Sequence, residues 1–191
     1  MKIALLRHGP TDWNAQHRIQ GHTDIPLSED GLRKMQALRV PFAAARIFSS
    51  QMQRTQQTAQ ALGLDNPVLD ARLMEQHWGR WEGMSLQTIT DQEGKDAFLR
   101  AGRKEEFRPP GGESTAELMT RVSDFLHHAA REDGDAIAVT HLGVLRAAYT
   151  LATGWNMATP MPPELDTSKI LVLEMDSKPV IHTLNLDFVS A

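Results

Sequence analysis

The sequence contains no cysteine. Disulfides, thiol nucleophiles and zinc–thiolate sites are thereby excluded, and the composition fits a reducing compartment. Long apolar runs are missing too. After Met1 and Lys2, the run Ile3–Leu6 meets Arg7 at once. That is too short for a signal peptide, and no stretch approaches the roughly 20 apolar residues of a membrane span. The sequence reads as cytoplasmic. It also lacks an excess of positive charge: the formal net charge is -4, which argues against nucleic acid or a membrane surface as partner. Any anion site must be a local cluster of cations. Repeats and low-complexity tracts are absent, and oligomeric state is not legible.

What is present is ordinary for a globular protein: 191 residues, 41% hydrophobic and 23% charged. We expect one domain over residues 1–191, with a small lid-like excursion at about 84–112 that closes on Pro109-Pro110-Gly111-Gly112. Short apolar runs alternate with helical stretches, the pattern of a three-layer α/β domain. The strand candidates are Ile3–Arg7, Arg46–Ser49, Ala136–Thr140, Ile170–Met175 and Val180–Leu184. Ser28 is placed to cap a helix from about Glu29 to Ala45, with Leu32, Met35 and Leu38 inward. A second helix is expected over Gln51–Leu62, ended by Gly63. Ser114 and Glu117 form a capping box ahead of an apolar stripe of Leu118, Val122, Phe125, Leu126 and Ala129. Another helix follows His141 and stops by Gly154, and the proline-rich Thr159–Pro163 is a loop.

Three of the strands end in residues suited to chemistry. The first delivers Arg7-His8-Gly9, the second Ser49-Ser50 with Arg54 a turn later, the third Thr140-His141-Leu142-Gly143. In open α/β sheets ligands bind beyond the carboxyl ends of the strands. If these strands are parallel neighbours, both arginines and both histidines meet in one crevice. Two helix N-termini would also aim free N–H groups there. Such a pocket suits a phosphoryl group. A neutral His8 could attack phosphorus through one ring nitrogen while the other donates to a backbone carbonyl, and Gly9 lets the backbone pass close to the phosphate.

The leaving alkoxide then needs a proton. The stretch Arg72–Gly83 offers Glu75 and Glu82. Glu75 is the better candidate, because Met74 and Trp78 could desolvate it and keep it protonated; the residues alone do not choose firmly between the two.

These motifs resemble the histidine phosphatase superfamily, also called the phosphoglycerate mutase-like family. Arg7-His8-Gly9 with Thr11 and Asn14 is similar to its opening motif, and Gln20-Gly21-His22-Thr23-Asp24-Ile25-Pro26-Leu27 to the segment that follows. Ser49–Thr55 resembles the second-arginine motif, the block around Glu75 the segment carrying the acid, and Pro110–Ser114 and Thr140-His141 complete the order. Each motif alone is weak; the ordered set, spanning Met1 to about Ala148, is specific. The resemblance implies a mixed, mostly parallel sheet flanked by helices and no metal cofactor. It implies His8 as nucleophile, Glu75 as acid, and Arg7, Arg54 and His141 around the phosphoryl group. Asn14, Gln20, Gly21 and Leu142 join Arg7, Arg54 and His141 as substrate-binding positions. The expected activity is metal-independent hydrolysis of a small phosphomonoester through a phosphohistidine. The alternatives are a phosphoglycerate mutase-type transfer and a non-catalytic phosphate-binding protein. One departure stands out: the family usually has glycine after the second histidine, where this chain has Leu142 and then Gly143.

Other residues read more plainly. Glu82 is expected to make a structural hydrogen bond. His127-His128 reads as a solvated helix end, and Asp133-Gly134-Asp135 as a turn. Trp78 and Trp81 either stack on a substrate or pack the loop, with packing the favoured reading. His22 and His77 either line the entrance or serve as plain surface residues. Arg100, Arg103 and Lys104 read as a solvated face that could greet an anionic substrate.

Overall fold

The structure, a computed structural model, describes residues 1–97, 106–157 and 159–191. Arg100, Arg103 and Lys104, and with them part of the expected lid, lie outside the described residues.

The run that opens the chain becomes β1 (Lys2–Arg7), whose Ile3, Ala4, Leu5 and Leu6 are completely buried. A strand apolar on both faces belongs in the middle of a covered sheet. That is where β1 lies, parallel to β5 (Ala136–Thr140) and antiparallel to β6 (Ile170–Met175). On the far side of β5 come β3 (Arg46–Ser49) and the short edge strand β4 (Val68–Leu69), both parallel; β7 (Pro179–Leu186) pairs antiparallel outside β6. The order is β4-β3-β5-β1-β6-β7, a mixed, mostly parallel sheet.

Alternation along the strands sorts the core into two halves. Ile3 and Leu5, Ala136 and Ala138, and Leu171 and Leu173 pack with α5 (Thr115–Ala129) and α6 (Leu142–Thr153). Ala4 and Leu6, Ile137 and Val139, and Ile170 and Val172 pack on the other face with Ala59 and Leu62, at the end of α3 (Gln53–Ala61). Helices therefore cover both faces. The α5 capping box is formed, and every member of its predicted stripe is buried.

Two expectations need correction. The helix after Ser28, α2, covers only Glu29–Gln36. Pro41 follows, and proline excludes the residue before it from helical geometry, so the chain turns instead into β2 (Leu38–Arg39), which pairs with β8 (Val189–Ser190). Leu32 consequently faces out, 38% exposed, while Met35 is buried. The strand β4 was not foreseen: Val68 and Leu69 are exposed on a sheet edge and give no pattern of burial. The excursion after Met84 does contain a helix, α4 (Leu86–Glu93), capped by Ser85. Among the described residues, no helix is long and apolar enough to cross a membrane.

Candidate active site

Strand register brings the motifs together. Arg7 lies opposite Thr140, and Ser49 opposite Val139, so β1, β3 and β5 end side by side. His8, Ser50 and His141 leave the sheet together. The rings of His8 and His141 stand 5.2 Å apart between centroids, tilted by 60°. Residues 133 apart in sequence thus face a single small space.

The backbone sets the nucleophile candidate. His8 N–H donates to Thr140 O at 2.9 Å, continuing the sheet one residue past β1. Its Nδ1 lies 2.7 Å from Gly9 O. A carbonyl can only accept, so Nδ1 carries the proton and Nε2 keeps its lone pair. Burial, then Arg7 and Arg54, lower the His8 pKa to about 3, so the ring is neutral at ordinary pH. Gly9 N–H donates to Thr58 Oγ1 at 2.9 Å, which ties this turn to α3.

Arg54 is wholly buried, and its visible partners are neutral. Its Nη2 donates to Gly21 O at 2.7 Å, Nη1 to Thr23 O at 2.9 Å and Nε to His141 Nδ1 at 3.3 Å. Among the described residues, Arg7 Nε is buried with no hydrogen-bond partner, and so is Gln20 Oε1. Burial lowers the pKa of both arginines, offset in part by Glu75. A buried and a half-buried cation without a bonded carboxylate among the described residues are an electrostatic demand for an anion.

Asn14 is oriented by a capping box: its Oδ1 accepts from Thr11 N–H and Thr11 O–H, each at 3.0 Å. The amide NH2 is left for the cavity that Asn14 lines. Gly21 sits at φ +53, and a Cβ there would overlap the Glu82 carboxylate. Glu82 accepts from His22 N–H, Trp78 N–H, Thr23 N–H and the Thr23 hydroxyl. It is a loop clamp, as expected.

Glu75 approaches from the opposite wall. Its Oε1 accepts from Gln76 N–H at 2.8 Å and Gly143 N–H at 3.0 Å. Polar amides, more than the apolar neighbours expected to surround it, hold this carboxylate. A side chain at Gly143 would overlap Glu75 Oε1, so the glycine kept at 143 is the one this wall requires. Leu142 lines the cavity instead.

The expectation of two helix N-termini with free amides is only half met. At α3, Met52 N–H is taken by Ser50 Oγ and Gln53 N–H by Asp24 Oδ1. At α6, Gly143 N–H is taken by Glu75.

Together Arg7, His8, Asn14, Gln20, Gly21, Arg54, Glu75, Leu142 and Gly143 line a cavity of about 160 Å³, with His141 completely buried behind them. It opens beside a cleft of about 850 Å³ that shares Arg7, His8 and Asn14. The volume suits a phosphoryl group and a small leaving group. Trp81 is buried among Ile89, Ala97 and Phe107, whereas Trp78 packs against that cluster and also lines the cavity. The rings of His22 and His77 lie 4.7 Å apart, tilted by 32°, and His22 Nε2 lies 2.8 Å from Glu75 O. His127 and His128 are exposed in the last turn of α5.

Sequence reading missed Thr58 and Arg121, and named Ser50 and Glu113 only as members of their motifs, without a partner. Ser50 Oγ lies 2.8 Å from His141 Nε2. Arg121 binds Glu113 and three carbonyls of the Glu75 loop. Glu117, four residues before Arg121, is the partner that helical spacing suggests, but it pairs with Arg108.

Comparison with known proteins agrees with this geometry. The chain is 33% identical over 165 residues to phosphoglycerate mutase-like protein 4 of Arabidopsis thaliana, covering 79% of this chain and 70% of that one. It is 39% identical over 131 residues to the "Probable phosphoglycerate mutase GpmB" of Enterobacter sp. (strain 638), covering 64% of this chain and 60% of that relative's length. A mycobacterial glucosyl-3-phosphoglycerate phosphatase, solved in complex with VO3, superposes with a TM-score of 0.78 at 26% identity, covering 97% of this chain and 99% of that one. With residues 3–187 matching the pattern of the histidine phosphatase superfamily (branch 1), the chain belongs to that superfamily.

Proposed function

We propose that the protein is a metal-independent phosphatase that hydrolyses a small phosphomonoester through a phosphohistidine. The observation that carries this reading is the His8 ring. It is neutral, its Nδ1 proton is spent on Gly9 O, and the cations of Arg7 and Arg54 lie close enough to act on it.

In the first step His8 Nε2 forms a bond to phosphorus and the ester P–O bond breaks. The leaving oxygen takes a proton from Glu75. Because Glu75 Oε1 is held by two amides, Oε2 is the oxygen that carries it. In the second step a water oxygen attacks phosphorus, its proton passes to the Glu75 carboxylate, and the N–P bond breaks. Products are the alcohol and inorganic phosphate, and both residues return to their starting states. Arg7 and Arg54 stabilise the equatorial oxygens, with Asn14, Gln20 and Gly21 completing the cradle, while His141, whose one ring proton goes to Ser50, holds Arg54 Nε from behind.

The decisive experiment is rapid mixing with labelled p-nitrophenyl phosphate, with chelator present. Acid-labile phosphoprotein that forms in wild type and is absent in His8→Ala, together with loss of turnover in that variant, is the expected result. Wild-type-like turnover by His8→Ala, or abolition of activity by chelator, overturns the reading. If wild type binds phosphate but neither traps the intermediate nor turns over, the site is a non-catalytic phosphate receptor.

The mutase-like relatives support a second reading, in which the phosphoryl group returns to another hydroxyl. Formation of 2-phosphoglycerate from 3-phosphoglycerate would support it; release of inorganic phosphate supports hydrolysis.

A further inference from the structure

The loop that carries Glu75 has no regular partner of its own. The 3-10 turn Ala71–Leu73 ends just before it, which leaves carbonyls without intrahelical donors. Three of those carbonyls converge on one guanidinium. Arg121 Nη1 donates to Arg72 O and Met74 O, each at 2.7 Å, and Nη2 donates to Glu75 O at 3.0 Å. The remaining donors go to Glu113: Nε to Oε1 at 2.6 Å and Nη2 to Oε2 at 2.8 Å. Arginine has five N–H donors, and each of them has an acceptor here.

Glu113 is itself sewn to the same loop. Its N–H donates to His77 O at 2.8 Å, its carbonyl accepts from Gln76 Nε2 at 3.0 Å, and its Oε2 accepts from His77 N–H at 3.3 Å. Both side chains are largely buried, at 19% and 15% exposure for Arg121 and Glu113. A surface pair of this kind would contribute little. This one is shielded, forked and fully bonded, and it fastens the loop to α5, one of the most deeply packed helices of the core. Glu75 is thus held at its backbone carbonyl by α5 through Arg121, with His22 Nε2 on the same oxygen, and at its carboxylate by Gln76 N–H and, from the start of α6, Gly143 N–H.

We propose that Arg121, backed by Glu113, is a positioning residue for the proton transfer made by Glu75. It touches neither the phosphoryl cavity nor a leaving group. Its hydrogen bonds act on where the acid stands, and a displacement near 1 Å costs up to about 10²-fold in such a step. The inference rests on the reading of Glu75 as the acid.

A purely structural role and a positioning role differ in one observable. Proton donation matters when the leaving group is basic and little when it is not. The test measures kcat/KM, which reports the first phosphoryl transfer, for phenyl phosphate and p-nitrophenyl phosphate, nearly equal in size. Arg121→Gln is expected to lose roughly 10²-fold on phenyl phosphate and less than about threefold on p-nitrophenyl phosphate. Inhibition by inorganic phosphate should change by less than about threefold, because the anion cradle is untouched. Arg121→Lys, which keeps the charge but not the fork, should show the same split in weaker form; if Arg121→Gln does not fold, Arg121→Lys decides by the same criterion. Equal losses on both substrates overturn the inference. Glu75→Gln is the reference: if it shows the split and the Arg121 variants do not, positioning fails while the acid assignment stands. If Glu75→Gln itself shows no split, the acid assignment fails and the inference goes with it.

Discussion

Arg54 Nε lies 3.3 Å from His141 Nδ1, and this contact dictates the tautomer of the second histidine. A guanidinium N–H can only donate, so Nδ1 accepts and the ring proton sits on Nε2, 2.8 Å from Ser50 Oγ. Burial foremost, then His8, Arg54, Arg121 and Arg7, hold the His141 pKa well below its ordinary value. Ser50 passes the chain on to Thr55 Oγ1 at 2.7 Å, and Thr55 ends it at Met52 O at 2.8 Å. Every hydrogen in the series has a defined direction.

Ser50→Ala breaks that chain. It leaves the His141 Nε2–H buried without an acceptor, which costs about 1–3 kcal/mol of stability. Urea unfolding should show a lower midpoint at an unchanged slope, and kcat should fall as the His141 ring loses its orientation. A midpoint within error of wild type would remove Ser50 from the account.

Arg54→Lys keeps the charge but cannot bind Gly21 O, Thr23 O and His141 Nδ1 at once. The expected loss in kcat/KM is about 10²–10³-fold, equivalent to roughly 2.7–4 kcal/mol of barrier. Steady-state kinetics with p-nitrophenyl phosphate measures it. Retention of more than a tenth of the wild-type value would mean that charge alone suffices.

Gly143→Ala is mild for the helix, since Gly143 lies in α6 and does not have positive φ. It is severe for Glu75, because the new Cβ occupies the place of Oε1. Turnover should fall roughly 10²-fold while competitive inhibition by phosphate stays close to wild type. Parallel loss of both would show that the substitution damages the cradle instead of the acid.

Stability should depend on pH through the buried histidines. The His8 pKa is lowered from 6.5 to about 3, chiefly by burial, and that of His141 is also lowered. Between 6.5 and about 3 the unfolded chain binds protons that the native rings refuse. Stability is therefore complete above 6.5 and declines as pH falls through that window, by up to about 1.4 kcal/mol per pH unit for each histidine. Urea titrations on both sides of 6.5 check the slope, and His8→Gln should flatten it. An equal slope in that variant would assign the effect to other groups.

Much of this protein is legible in one dimension because the signals are local. Arg46–Ser49, Ala136–Thr140 and Ile170–Met175 are strands with the bounds their apolar runs suggest. The α5 capping box and stripe, and the stop of α6 at a left-handed Gly154, follow from residues within a few positions of one another. Arg7, His8, Arg54 and His141 could be singled out because each follows closely on a strand end. The overlong helix at Ser28 came from weighing the cap and the apolar spacing above the block imposed by Pro41.

The sequence by itself determined which residue types stand at which strand ends, and so the class of ligand. Only the tertiary structure decided their protonation and their grip. The neutral state of His8 depends on burial beside two cations; the His141 tautomer depends on Arg54, 87 residues away. Glu75 is held by an amide of α6 and a guanidinium of α5, neither near it in the chain. These are properties of low dielectric and of saturated hydrogen bonds, and both arise only when distant segments exclude water together.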